Sequence, residues 1–316
     1  MRFSISILLA SALMAACAPA QDVAQRAPSD QAASGTSLPA DTLDAVDAFA
    51  ACERVTLGAP GSVSLDFGGA LIVADGSPPR LAAWSPATDN CVEFQSPPDR
   101  PAFRPSDAAV RGFFVYAVDE ANRLLLRWDS SGSFRDVLLN FEDLAVRRRV
   151  SPSGLDVDAS GRVAVTDIEN HQIIILDSYL NVDVAFGNYG TFAGQLDTPL
   201  GVSFTPRGDL LVCDTGNARL QIFSDAGAHR RVIPADAGDS RFRRPRRATA
   251  AEDGRIYVAD PQAARVFELS AEGLVLRALV PADPGRFEPV DVALTRDGTL
   301  YVADLARRAI LSFQVM

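Results

Sequence analysis

Pro199-Leu200-Gly201-Val202, Gly208-Asp209-Leu210-Leu211-Val212-Cys213-Asp214 and Asn217-Ala218-Arg219-Leu220-Gln221-Ile222-Phe223 follow one another within about 25 residues. Their apolar runs are short and carry Val, Ile and Phe, which suits strands rather than helices. Pro199 opens the first strand, the Pro206-Arg207-Gly208-Asp209 turn leads into the second, and Asp214 ends it before a polar loop that precedes the third.

The same phrase recurs along the chain. Apolar runs end in Asp75, Asp119, Asp167, Asp214, Asp260 and Asp304, at spacings of 44, 48, 47, 46 and 44 residues. A proline stands about 15 residues before each of them: Pro60, Pro105, Pro152, Pro199, Pro245 and Pro289. After each third strand a further turn and a fourth short run complete the unit, as in Leu180-Asn181-Val182-Asp183-Val184-Ala185-Phe186-Gly187. Four short strands per repeat of roughly 45 residues describe a propeller blade. Only Asp41 to Ala51 departs from this. There Leu43, Val46 and Phe49 recur at helical spacing, which predicts a short helix or lead-in over residues 41–50.

The motif P-x-G-[VL], then G-x-[LI]-x-V-x-D, then N-x-[RQ]-[LI]-x-[IV]-[FL] is similar to the NHL repeat. The fourth copy carries it best, and the third, fifth and sixth match well. The first two are degenerate, with Pro78-Pro79 and Arg111-Gly112-Phe113-Phe114 out of pattern. The resemblance covers about residues 51–316 and implies an all-β fold, a six-bladed β-propeller of four-stranded antiparallel blades. The sixth copy stops after its third strand, Ala309–Met316, so Arg54-Val55-Thr56-Leu57 is expected to complete the last blade and close the ring. Cys52 would then open the outer strand of blade six and Cys91 that of blade one, and a disulfide between these neighbours would reinforce closure.

Ahead of the repeats, Met1 to Cys17 reads as one Arg, an apolar stretch and two small residues. This is the layout of a secretory signal over residues 1–16. Leu13-Met14-Ala15-Ala16-Cys17 resembles a bacterial lipobox, which makes Cys17 the lipidated first residue of the mature chain, and residues 17–40 are a linker by composition. The resemblance implies a lipid-anchored protein of the bacterial cell envelope, at the outer membrane and facing the periplasm or the cell surface. Cys213 falls inside an apolar run and reads as a buried free thiol.

Composition bounds the chemistry. The chain has 316 residues, 47% of them hydrophobic, and a formal charge of −10, which argues against nucleic-acid binding as its main task. All of its basic residues are Arg, and it has only His171 and His229. The zinc site of peptide-amidating lyases, which this repeat resembles, needs several His. Calcium-dependent gluconolactonase-like propellers place Asn and Asp between the Pro and Gly that open inner strands. Here those positions are Gly61, Ser106, Ser153, Leu200, Arg246 and Val290. No G-x-S-x-G elbow accompanies either His.

Residues repeated in every copy are explained by what every blade needs, so the six Asp read as turn formers. Candidate functional residues are those that break the symmetry. Arg241-Phe242-Arg243-Arg244-Pro245-Arg246-Arg247 places five Arg in seven residues on the connection into blade five, with Arg230 and Arg231 not far before it. Arg219, Arg265, Arg307 and Arg308 belong to loops expected on the same face. Such a patch suits carboxylate, phosphate or sulfate groups. A second set, Asp107, Arg247 and Asp291, opens inner strands and is expected around the channel mouth. The leading expectation is a binding or scaffold protein, without cofactor, whose Arg face takes a protein, a peptide or an anionic glycan of the envelope. The alternative is a metal-assisted lyase or lactonase, with calcium at Asp107 and Asp291 beside Arg247.

Overall fold

The computed structural model describes residues 40–43, 47–52, 55–99, 102–144, 148–234, 242–283 and 285–315, with residues 40–43, 47, 48 and 52 described by backbone alone. The expected signal peptide, the lipidation site Cys17 and most of the linker lie outside these residues.

Six blades follow in chain order, each beginning at its inner strand. Blade one is Pro60–Leu65, Leu71–Gly76, Pro79–Ser85 and Asn90–Glu93. Blade two is Pro105–Arg111, Phe114–Asp119, Leu124–Asp129 and Phe134–Asn140. Blade three is Pro152–Val157, Val163–Asp167, Gln172–Leu176 and Val182–Phe186. Blade four is Gly201–Phe204, Leu210–Asp214, Arg219–Phe223 and His229–Ile233. Blade five is Arg247–Ala250, Ile256–Asp260, Arg265–Leu269 and Val275–Pro281. Blade six supplies only three strands from this part of the chain, Pro289–Leu294, Thr299–Asp304 and Ala309–Gln314. Neighbouring strands within these blades run antiparallel. Among the described residues there is no α-helix, and none is long and apolar enough to cross a membrane.

The core is divided between blades. Six apolar clusters each join two consecutive blades, the last uniting blade six with blade one through Val290, Ala293 and Ile310 against Val63, Val73 and Trp84. Both faces of each middle strand are therefore covered, which is why Leu210–Asp214 is buried at every position and its residues read as a continuous apolar run. The outer strand Val182–Phe186 instead keeps an exposed face. At the first turn of blade four Gly208 holds φ +84, a left-handed conformation that other residues enter at a cost.

Two expectations for the N-terminal segment are corrected. The described residues between Asp41 and Ala51 form strands rather than the expected short helix. Ala40–Leu43 pairs in parallel with Val275–Pro281 as a fifth strand of blade five, and Asp47–Phe49 pairs antiparallel with Ala309–Gln314. The unpaired edges of blades five and six offer rows of backbone partners, which outweigh a weak helical periodicity. Asp47–Phe49, rather than Arg54–Leu57, is thus the fourth strand of blade six. Val55–Thr56 forms a separate hairpin with Ala51–Cys52. Val55 and Leu57 are buried in the cluster between blades six and one, where Phe49 stacks on Trp84 at 4.3 Å. Closure by an N-terminal strand holds, one segment earlier than expected.

Cys52 accordingly lies in that hairpin and does not open the outer strand of blade six, while Cys91 sits in the outer strand of blade one. Cys91 packs on the same cluster as Val55, three residues from Cys52. The Cys52 side chain lies outside what is described. Cys213 is a buried free thiol whose burial pushes its pKa up.

Candidate functional site

Each repeated Asp is fully buried and does more than shape its own turn. The Asp260 carboxylate accepts the N–H groups of Arg243 at 2.6 Å, Arg244 at 3.0 Å and Ala263 at 2.9 Å. Asp75, Asp119, Asp167, Asp214 and Asp304 likewise accept N–H groups from the connection into their own blade. One carboxylate thus ties the loop after the second strand to the chain that precedes the first. Burial raises the Asp260 pKa despite those bonds. In blades two to six, the residue four positions after the Asp takes positive φ: Arg123, His171, Ala218, Ala264 and Arg308. The backbone at His171 is therefore a feature of the repeat. Its Nδ1 accepts the Thr198 N–H at 2.9 Å, and its ring lies 4.8 Å from that of Tyr189.

The Arg-rich connection is held rigidly. Phe242 is buried and packs edge-on against Phe267 at 5.3 Å, Asp260 fixes the next two amides, and the Thr215 hydroxyl donates to Pro245 O at 2.7 Å. Beyond it, between blades five and six, opens a cleft of about 800 Å³. Arg244, Arg246, Arg286 and Arg307 line it together with Pro261, Val280, Pro281 and Phe287. Arg307 donates to Asp304 Oδ2 at 2.8 Å and to Arg286 O at 2.6 Å, and it lies over the Phe287 ring. Arg286 pairs with Glu288 at 3.1 Å. Arg244 and Arg246 make no ion pair among the described residues. Arg246 reaches across the channel mouth, because a Cβ added at Gly61 of blade one would lie 3.9 Å from its Nη2. Burial first, and then the charge of Arg247, lower the Arg246 pKa.

The other expected Arg residues divide. Arg243 and Arg308 are exposed and Arg265 is half-buried, and none of them lines the cleft. Arg219 is a structural residue, contrary to expectation. It bonds Asp214 at 2.6 Å and the carbonyls of Thr191, Phe192 and Gln195, so four of its five N–H donors clamp the connection between blades three and four. Arg230 pairs with Asp209 at 2.8 Å, and with Arg207 and Arg231 it lines a cavity at the first-turn side of blade four. This is the opposite face, since the fourth strand of a blade starts where the first turn lies.

Asp107, Arg247 and Asp291 do meet in the channel, in a cavity of about 220 Å³. Arg247 is buried and pairs with Asp107 at 3.1 Å. The carboxylates also stitch inner strands together. Asp291 of blade six accepts the Val63 N–H of blade one at 2.9 Å, and Asp107 of blade two accepts that of Leu155 in blade three at 2.7 Å. Asp156, missed in the sequence, does the same from blade three to Phe204 of blade four at 2.7 Å. Its signal was position: Asp156 falls in an inner strand, like Asp107 and Asp291, and with them it lines the channel cavity. Burial pushes the Asp291 pKa to about 7, with the nearby Asp107 charge as second cause, and burial pushes Asp156 to about 6. Among the described residues no three His, Cys, Asp or Glu side chains are placed to hold a metal ion.

The NHL repeat matches residues 150–176 and 196–223, the first three strands of blades three and four with their connections. Over 127 residues, 40% of the chain, it is 31% identical to protein brain tumor of Drosophila melanogaster, and it spans 12% of that protein's length. In structure it is similar to a catalytically inactive virginiamycin B lyase from Staphylococcus aureus solved with quinupristin, at TM-score 0.64 and 12% identity over 82% of this chain and 95% of that one. It is also similar to the luciferin-regenerating enzyme, at TM-score 0.63 and 13% identity over 85% and 95% of the two chains. At these identities the likeness shows the fold alone. The chain is a six-bladed β-propeller carrying NHL repeats.

Proposed function

We propose that this chain is a lipid-anchored binding protein of the bacterial cell envelope that takes an anionic partner on the loop face of its propeller, at the cleft beside the Arg-rich connection. One observation carries the reading: two guanidinium groups, Arg244 and Arg246, face a cleft of about 800 Å³ with no ion pair among the described residues, on a chain of net charge −10. Guanidinium groups without an ion-pair partner in a concave, partly apolar site suit a carboxylate-bearing protein or peptide or an anionic glycan. NHL propellers commonly bind proteins, in keeping with this. Arg247 is held by Asp107 in the channel and Arg219 by the connection between blades three and four, while Arg307, which also lines the cleft, is held by Asp304. In a pull-down from the envelope, followed by titration of the captured partner, Arg243→Ala with Arg244→Ala and Arg246→Ala should weaken binding at least about 10-fold, the worth of one charge-assisted hydrogen bond. The melting temperature should stay within a few degrees, and unchanged affinity removes the site.

The anchor is Cys17, with residues 17–40 as its tether and the outer membrane as its address. Radiolabelled palmitate should enter the wild-type protein and not Cys17→Ser. A Cys52–Cys91 disulfide closes a loop of roughly 40 residues, worth about 4 kcal/mol in the chain-entropy model. Reduction should then lower the melting temperature of wild type and leave Cys91→Ser unaltered.

A second reading, lyase or lactonase chemistry at the channel mouth, draws on the fold likeness to virginiamycin B lyase. Its proposed donors do not fit a resident calcium. Asp107 and Asp291 each already accept two backbone N–H groups, and Asp107 also holds Arg247. A thermal shift produced by calcium and reversed by chelator would restore that reading.

A further inference from the structure

We propose that the cleft is a receptor for the free C-terminus of an extended peptide, with its terminal carboxylate on Arg246 and Arg244 and its last side chain against Val280, Pro281 and Phe287. The inference rests on the reading that this face binds a partner, and it names the partner's chemistry.

Charge sets the first limit. Of the four guanidinium groups lining the cleft, Arg307 is taken up by Asp304, with Asp283 at 3.4 Å, and Arg286 pairs with Glu288. Two remain, which suits one bidentate carboxylate. A polyanion would need a row of free cations and would instead meet Glu288 and Asp283 at the rim, with Asp291 and the Arg247-paired Asp107 behind. Shape sets the second limit. The cleft runs from the blade five–six boundary inward to Arg246, whose side chain crosses the channel mouth toward Gly61 of blade one. An extended chain entering from the rim therefore stops at a guanidinium, and a chain end is what can stop there. Composition sets the third. Phe287 and Pro281 are buried and Val280 half-buried, so an apolar wall faces the charged end, which a sulfated glycan would not use.

Isothermal titration of the full chain tests this with an N-acetylated heptapeptide ending in Leu-Val-Phe, as free acid and as C-terminal amide, and with dodecanoate and a polyphosphate. The free acid should bind about 10- to 100-fold more tightly than the amide, the difference expected for a hydrogen-bonded charge. Arg246→Gln should abolish that difference at unchanged melting temperature, while Arg296→Gln on the opposite face should preserve it. Equal binding of acid and amide, or dodecanoate binding as tightly as the peptide acid, overturns the assignment to a peptide terminus. Binding of polyphosphate alone overturns it too, while leaving an anion-binding face intact. Silence across all four probes overturns both.

Discussion

A buried Asp with several backbone donors and a surface Arg with none respond oppositely to removal. Asp260→Ala strands the amides of Arg243, Arg244 and Ala263 together. At about 1–3 kcal/mol for each buried unsatisfied group the loss should be at least about 3 kcal/mol, a fall of at least about 6 °C in melting temperature for a domain this large. Arg247→Ala leaves Asp107 buried and unpaired and should cost about 3–5 kcal/mol. Arg243→Ala and Arg308→Ala, both at exposed positions, should stay within about 0.5 kcal/mol. Scanning calorimetry on the set checks the ranking, and a stable Arg247→Ala would return that residue to the ligand site. The repeat made the six Asp legible as structural residues. It could not separate Arg247 from Arg246, adjacent in sequence, because which of the two turns into the packed channel is set by blades two and six.

At the scale of elements, the segment before blade one is the instructive case. Its helical spacing of Leu43, Val46 and Phe49 was real, but two open strand edges captured it instead. A chain of residues 44–316 loses only the fifth strand of blade five and should melt cooperatively a few degrees below wild type. A chain of residues 51–316 also loses Asp47–Phe49, exposing the edge of Ala309–Gln314 and leaving Trp84 without its stacked partner. Phe49→Ala alone should cost about 3–5 kcal/mol, the range for emptying an aromatic site in a core. The longer truncation should therefore aggregate or melt far lower, and light scattering during heating distinguishes the two. Equal melting of both truncations would place closure elsewhere.

Around the whole ring, Asp291, Asp107 and Asp156 bond inner strands of successive blades from within the channel, and this makes stability depend on pH. Asp291 titrates near 7 and Asp156 near 6 in the folded chain, against an ordinary value of 3.8. The folded state therefore holds protons that the unfolded state releases between about pH 4 and 7. Stability contributed by these groups is complete below about 4 and falls as pH rises through the window. Asp291→Asn, which keeps an acceptor for the Val63 amide, should flatten that fall. Urea midpoints at pH 5 and pH 8 should converge in the variant relative to wild type. A wild-type midpoint that rises across this range, with no change in the variant, would contradict the assignment.

Sequence alone determined the number of blades, their strand boundaries to within a few residues, the structural role of the repeated Asp and the presence of a charged connection into blade five. These follow from local periodicity repeated six times in phase, which needs no knowledge of distant contacts. Tertiary structure decided the rest: the strand that closes blade six, the clamp made by Arg219, the channel role of Asp156, and the division of the Arg residues into Arg247 held by Asp107 and Arg244 with Arg246 facing a cleft. Each depends on which partner lies across a blade boundary, often more than 100 residues away along the chain, as Val63 lies 228 from Asp291. A repeat motif describes one blade at a time and carries no record of that neighbour.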